Sequence, residues 1–351
     1  MKKLKLMKQR FALALMLLIM AMLTTWAAQR VLQEPHMLLI FGDDIILQTS
    51  AHAQEYTPAY ISQDTVYKPQ PEYLPYMPSQ QILPRPVLQP PTVQQMQNLS
   101  SFNYLTSRIF LVDPETILLP SDINVQHFLA QDLAIDTTVA GPHVLIFHTH
   151  STEMFIDSNP RYPMTGIMGV GQYLAHILTH YHGLEVMHVT QRFDFIDGRS
   201  HRLGAYERME PVIRQILADN PSIQVIIDLH RDGVAEHMPA FTRYINGKET
   251  AQIMFFNGLS RQNRNGQAVT VYRLPNPYQQ ENLNFSFQMQ LAANQLYPGL
   301  ARRIYLRAFR YSLHMLPLST LVEVGNQHNT QQQAKNAMYP LANIIASVIL
   351  H

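Results

Sequence analysis

The sequence predicts an α/β fold: a central, mostly parallel twisted sheet flanked by helices, behind an N-terminal transmembrane helix and a Pro-rich spacer. Three observations lead there. Residues 144–147, 184–189, 225–229 and 318–324 are short apolar runs of the kind that form strands buried on both faces. Segments of helical periodicity separate them, which is the alternation that builds a parallel sheet. The composition also changes near residue 105, from Pro- and Gln-rich to regularly patterned.

Taken in order, Lys2, Lys3, Lys5, Lys8 and Arg10 precede an apolar stretch over 11–28. That stretch is about eighteen residues long, enough to cross a bilayer, and the basic flank should stay in the cytoplasm. No clean small-residue cleavage site with a polar follow-up is present, so an uncleaved anchor over 1–28 is expected rather than a removed signal. The remainder would then lie on the extracytoplasmic side of the cytoplasmic membrane. Residues 29–105 carry Pro58, Pro69, Pro71, Pro75, Pro78, Pro84, Pro86, Pro90 and Pro91. This spacing leaves no room for long helices or paired strands and predicts an extended spacer with polyproline character.

The folded domain is expected over 106–351. Ile167, Val170, Leu174, Ile177, Leu178 and Tyr181 form one helical stripe, with His176 and His180 off its centre and expected in solvent. Asn246-Gly247, between 241–245 and 253–256, has the dipeptide a type I′ turn prefers and predicts a hairpin. Phe287, Leu291 and Leu296 followed by Pro298-Gly299 describe a helix with a firm stop. The last helix should start near Thr330 with Ala334, Met338, Leu341, Ile345 and Val348 inward, and Pro340 should kink or split it near Tyr339.

Composition excludes several classes of function. Lys+Arg 26 against Asp+Glu 25 gives a net charge of +1 without a basic, aromatic-interleaved patch, so nucleic acid is not an expected partner. With no Cys there is no disulfide, thiolate metal site or thiol nucleophile, and any metal must rest on His and carboxylate ligands. The chain also lacks G-x-S-x-G and G-x-x-x-x-G-K-[ST], so a serine hydrolase or P-loop reading has no anchor.

The chemistry concentrates where apolar strands end. His148-Thr149-His150-Ser151-Thr152-Glu153 follows the first run, and a tight turn there would aim His150 and Glu153 at one point. Ile226-Ile227-Asp228-Leu229-His230-Arg231-Asp232 delivers a second His from a neighbouring strand end, and parallel strands share one carboxyl edge. Glu323 sits in the otherwise apolar run 318–324, a costly placement without a positive partner. Two imidazoles and a carboxylate suit Zn²⁺ with one open position, and a further carboxylate suits proton transfer during amide hydrolysis. We therefore read His150, Glu153 and His230 as metal ligands and Glu323 as the catalytic base and acid. His148 stays open as an orienting group, a substrate-binding group or the alternative ligand in place of His150, since an extended segment would turn it to the same side as His150. Arg231 and Asp232 are either supporting groups, an Asp steadying an imidazole and an Arg pairing a carboxylate, or a structural ion pair. Arg208 is a weaker candidate for the same role.

At these residues the chain resembles the stage II sporulation protein P family, membrane-anchored cell-wall hydrolases of endospore formers. The ordered segments VLIFHTHSTE, VGQYLAHIL, IQVIIDLHRD, the Asn-Gly hairpin, YPGLARRIYL and VEVGNQHNT carry the resemblance over roughly 140–350. It implies the fold of zinc N-acetylmuramoyl-L-alanine amidases, similar also to zinc carboxypeptidases, with His150, Glu153, His230 and Glu323 in the roles above. It further implies cleavage of the bond between muramic acid and the stem peptide of peptidoglycan, with peptide cross-links as a second target, during engulfment. The implied partner is the glycan-cleaving stage II sporulation protein D. The segment Arg310–Met315 departs from the family's more polar pattern. Two rivals remain: a zinc carboxypeptidase or endopeptidase on the same scaffold, and a wall-binding scaffold without catalysis, against which Glu323 argues.

Overall fold

The structure, a computed structural model, describes residues 66–67 and 86–350. The expected anchor over 11–28 lies outside the described residues. Among the described residues no helix is long and apolar enough to cross a membrane.

Eight strands form the central sheet: β1 (Val66–Tyr67), β2 (Phe110–Val112), β3 (Val144–Phe147), β4 (Val186–Val189), β5 (Val225–Asp232), β6 (Ile253–Gly258), β7 (Ile304–Arg307) and β8 (Ser319–Asn326). Their order is β1-β4-β3-β5-β8-β6-β7-β2. Strands β4, β3, β5 and β8 run parallel, β6 turns antiparallel to β8, and β6, β7 and β2 are again parallel to each other. The sheet is thus mostly parallel, as expected, and the carboxyl ends of β3, β5 and β8 meet on one edge. Register fixes which residues meet there: Phe147 pairs Asp228, and His230 pairs Glu323.

Alternation along the strands gives the two faces different cover. One face, with Val144, Ile146, Ile227, Leu229, Phe255, Val322 and Leu306, is buried in the main core beneath three long helices: α1 (Ile167–His182), α3 (Gln279–Leu296) and α4 (Gln331–Ile349). Among the described helices the opposite face receives only α2 (Ala205–Asp219), whose Met209, Val212 and Ile213 pack on Leu145, Phe147 and Ile226. On the same face Phe256 and Leu321 carry a smaller cluster with Leu313, Tyr305 and Tyr311. Helix α1 lies close because of Gly171, where a Cβ would stand 2.5 Å from the His148 ring.

Four expectations need correction. The Asn246-Gly247 turn forms, with Asn246 and Gly247 both at positive φ, but it joins Thr242–Ile245 to Lys248–Ala251. Residues 253–256 instead belong to β6, because a fully buried run fits the sheet centre better than an exposed hairpin arm. Helix α4 continues through Pro340. A mid-helix proline costs about 3 kcal/mol, and burial of Leu341, Ile344 and Ile345, each worth about 1.5–3 kcal/mol, outweighs it. His176 is buried against His180, ring centroids 4.1 Å apart, rather than solvated. Finally, the segment expected as pure spacer contains paired and packed pieces: Val66–Tyr67 adds to β4, and Val93–Leu99 is a helix whose Leu99 enters the core.

Candidate metal centre

The site begins where β3 stops. After Phe147 the chain turns at once, with Glu153 N–H donating to His150 C=O at 3.3 Å. Two buried carboxylates pin this turn. Asp228 accepts from Thr149 N–H at 2.9 Å and Thr149 Oγ1 at 2.7 Å, while Asp194 accepts from Ser151 Oγ at 2.6 Å and from Thr152 N–H at 3.1 Å. Polar turn residues are therefore tied to neighbouring elements instead of water, and their side chains are fixed in direction.

This turn and β5 bring together His150, Glu153 and His230, whose donor atoms all lie within 4.8 Å of one another. Glu153 Oε1 is 3.8 Å from His150 Nδ1, and Oε2 is 3.5 Å from His230 Nδ1. The backbone N–H of Arg231 donates to Glu153 Oε2 at 2.8 Å. Burial alone would raise the Glu153 carboxyl, but His230, Arg202 and His150 hold it well below the carboxylate range. His230 is the reverse case: burial opposes its charge, and Asp228 and Glu153 nonetheless hold it well above the ordinary imidazole value. Burial and Arg202 push His150 down to about 3, which keeps its ring neutral.

The donor set fits a zinc ion in kind: two imidazole nitrogens and one carboxylate oxygen, without the octahedral oxygen cage that magnesium demands. The centre already holds a positive group. Arg202 Nη2 donates to His150 Nδ1 at 2.9 Å and to Glu153 Oε1 at 3.0 Å, so a cation rests on two of the three donors.

Glu323 stands beside His230 in the adjacent strand, and its Oε2 is buried without a hydrogen-bond partner. Burial and nearby Asp232 push its carboxyl up to about 8. His148, although two residues from His150, does not face the centre. Its Nδ1 donates to Leu229 C=O at 2.7 Å and its Nε2 meets His188 Nε2 at 2.8 Å. The same-side expectation fails because the chain turns at Thr149 instead of continuing extended. Arg231 contributes its backbone N–H; its guanidinium donates to Met154 C=O and Asp232 C=O at 2.9 and 3.0 Å. Asp232 is bound to Arg302 at 2.6 Å and steadies no imidazole. Arg208 bonds Phe193, Leu203 and His201 carbonyls and closes a loop.

The family model of Stage II sporulation protein P (SpoIIP) matches residues 89–346. The chain belongs to this family. A SpoIIP relative, Stage II sporulation protein P of Bacillus subtilis (strain 168), is 22% identical over 223 residues, covering 58% of this chain and 50% of the relative. The chain therefore matches only about half the length of that curated relative. Among solved structures, the N-acetylmuramoyl-L-alanine amidase AmiC2 of Nostoc punctiforme is similar at 14% identity and TM-score 0.34, over 60% of this chain and 97% of that one. The CwlD amidase from Clostridioides difficile, in complex with the GerS lipoprotein, is similar at 11% identity and TM-score 0.35, over 59% and 95%.

Two groups of this SpoIIP-family centre escaped the sequence reading. Asp228 accepts from His230 Nε2 at 2.7 Å and so fills for that ring the imidazole-steadying role that the sequence leaves as one of two alternatives for Asp232, which instead forms an ion pair with Arg302. Its signal was in the sequence: residues two apart on a strand share a face, and Asp228 is two before His230. Arg202 left no signal, since it reaches Glu153 from a loop whose course no periodicity encodes.

Proposed function

We propose that this chain is a zinc-dependent peptidoglycan amidase that cuts the bond between N-acetylmuramic acid and the L-alanine of the stem peptide during engulfment. The convergence of His150, Glu153 and His230 beside a buried Glu323 carries this reading. Family membership supports the setting in spore formation. Zinc held by those three residues would supply Lewis acidity to water and to the scissile carbonyl.

The protein's own groups supply the rest. Asp228 accepts a hydrogen bond from His230 Nε2, which leaves Nδ1 as the atom facing Glu153. Arg231 N–H and the Arg202 guanidinium keep Glu153 anionic and aimed. Glu323, made more basic by burial and Asp232, is suited to take a proton from attacking water and return it to the leaving nitrogen. The carboxypeptidase reading is less well supported: it needs an Arg for a terminal carboxylate, and the Arg231 guanidinium is already bound to two backbone carbonyls. We also place the chain on the outer face of the cytoplasmic membrane through 11–28, working beside a glycan-cleaving partner of the stage II sporulation protein D kind; the basic flank and apolar run support the anchor.

The test is digestion of purified peptidoglycan by the full chain, with and without a chelator, and identification of the new ends by mass spectrometry. Free L-alanine amino termini that vanish with chelator are expected. New ends only within the peptide would make it an endopeptidase, and no new ends would leave a binding scaffold.

A further inference from the structure

Among the described residues, the sheet face that carries Glu323 is covered by α2 over β3 and β5 but by no helix over β6, β7 and β2. On that half a row of aromatic rings leads away from the metal donors. Tyr206 meets His150 edge-on with centroids 5.5 Å apart, Tyr311 meets Tyr206 at 5.5 Å, Phe256 meets Tyr311 at 4.7 Å, and Tyr305 meets Phe256 at 5.6 Å. Tyr311 holds its place in the row with a φ of 51°, in the left-handed region that non-glycine residues seldom adopt.

The row ends at a cleft of about 270 Å³ lined by Leu111, Asp113, Asp232, Met254, Arg302 and Tyr305. Met254 is the cross-strand partner of Glu323, so the cleft adjoins the catalytic carboxylate. Its charges are already matched: Asp232 with Arg302 at 2.6 Å, and Asp113 with Arg307 at 3.5 Å and with the Tyr305 hydroxyl. A cleft with paired charges has no net charge left to neutralise a free carboxylate or ammonium. It does offer donors and acceptors beside flat apolar rings, which is the complement of a neutral, hydroxyl-rich ligand.

We infer that this half of the sheet is a saccharide subsite, which holds the N-acetylated amino sugars on the glycan side of the scissile amide. Sugar rings lie over Tyr311 and Tyr305, and their hydroxyl and acetamide groups bond the Asp232–Arg302 and Asp113–Arg307 pairs. The inference rests on the proposed peptidoglycan substrate and adds where its glycan part is held.

The experiment is calorimetric titration of the full chain with chitotetraose, a peptide-free N-acetylglucosamine oligomer, in the presence of chelator. Hydrolysis and metal then play no part in the signal. Binding by wild type, weakened about tenfold in Tyr305→Ala and nearly kept in Tyr305→Phe, is expected, since the ring supplies the contact. Leu111→Arg, which puts an unpaired cation into the cleft from a half-buried position, should weaken binding as well and serves if Tyr305→Ala does not fold. On peptidoglycan the same variants should raise KM and leave kcat close to wild type. Absence of chitotetraose binding, or equal binding by wild type, Tyr305→Ala and Leu111→Arg, overturns the subsite even if the protein cuts peptidoglycan. Ring-dependent sugar binding by a chain that cuts nothing would uphold the subsite and sink the amidase reading instead.

Discussion

Two imidazole pairs sit at the same strand end in nearly the same geometry. His148 and His188 have ring centroids 5.1 Å apart at 81°, and His150 and His230 have centroids 5.1 Å apart at 90°. Their surroundings differ. The first pair is closed on itself and a backbone carbonyl, and burial holds His148 down to about 4. The second pair is bracketed by Glu153 and Asp228: burial and Arg202 push His150 down, while Asp228 and Glu153 push His230 up against its burial. Proximity of histidines is thus not what distinguishes the candidate metal centre. The carboxylates distinguish it, by fixing which nitrogen faces inward and by supplying the negative charge a cation needs.

The largest expected effect breaks the second pair. His150→Ala and His230→Ala should each lose most of the bound zinc and essentially all hydrolysis, because one of three protein ligands is gone. His148→Ala should retain the metal and lose thermal stability instead, since it removes the buried hydrogen bonds to His188 and to the Leu229 carbonyl. Metal analysis beside melting curves checks this; zinc loss in His148→Ala with retention in His150→Ala would reverse the assignment of the two pairs.

A smaller effect sharpens the role of the carboxylates. Asp228→Asn should lower zinc affinity by about 10–100-fold, measured by chelator competition, while Glu153 and both imidazoles remain. Unchanged affinity would show that Asp228 only anchors the Thr149 turn.

The smallest effect concerns an imidazole–carboxylate contact outside both pairs, His314 with Glu210 at 3.0 Å, where the same carboxylate also binds Arg214 and Arg310. Burial would raise Glu210, but His314, Arg214 and Arg310 hold it down to about 2, against an ordinary 4.5. A carboxyl with a depressed folded pKa stabilises above its unfolded value and stops doing so as pH falls through the folded one. Melting temperatures of wild type and Glu210→Gln should therefore differ most above pH 4.5 and converge towards pH 2. A constant difference across that range would remove the ion-pair account.

Much of this was legible in the sequence because strands announce themselves. Residues 144–147, 225–229 and 318–324 are apolar for the physical reason that both of their sides are covered, and their ends carry His150, Glu153, His230 and Glu323 into one place. The choice between His148 and His150 was not legible. It depends on the turn at Thr149, and that turn depends on Asp228 and Asp194, residues 79 and 43 positions away from their partners. Arg202 and the aromatic row were hidden for the same reason: loop course and ring contacts across strands are tertiary facts without a period. Pro340 misled in the other direction, since a local helix penalty was outweighed by burial that only the folded chain supplies.

The most direct measurement is zinc content together with turnover of Glu323→Gln on purified peptidoglycan. The amide keeps the shape of the side chain and removes the proton acceptor. The account predicts wild-type zinc, wild-type peptidoglycan binding, an unchanged melting temperature and turnover at least about a hundredfold slower. Turnover near wild type, or slow turnover accompanied by zinc loss or early melting, would contradict the claim that Glu323 moves the proton beside a centre held by His150, Glu153 and His230.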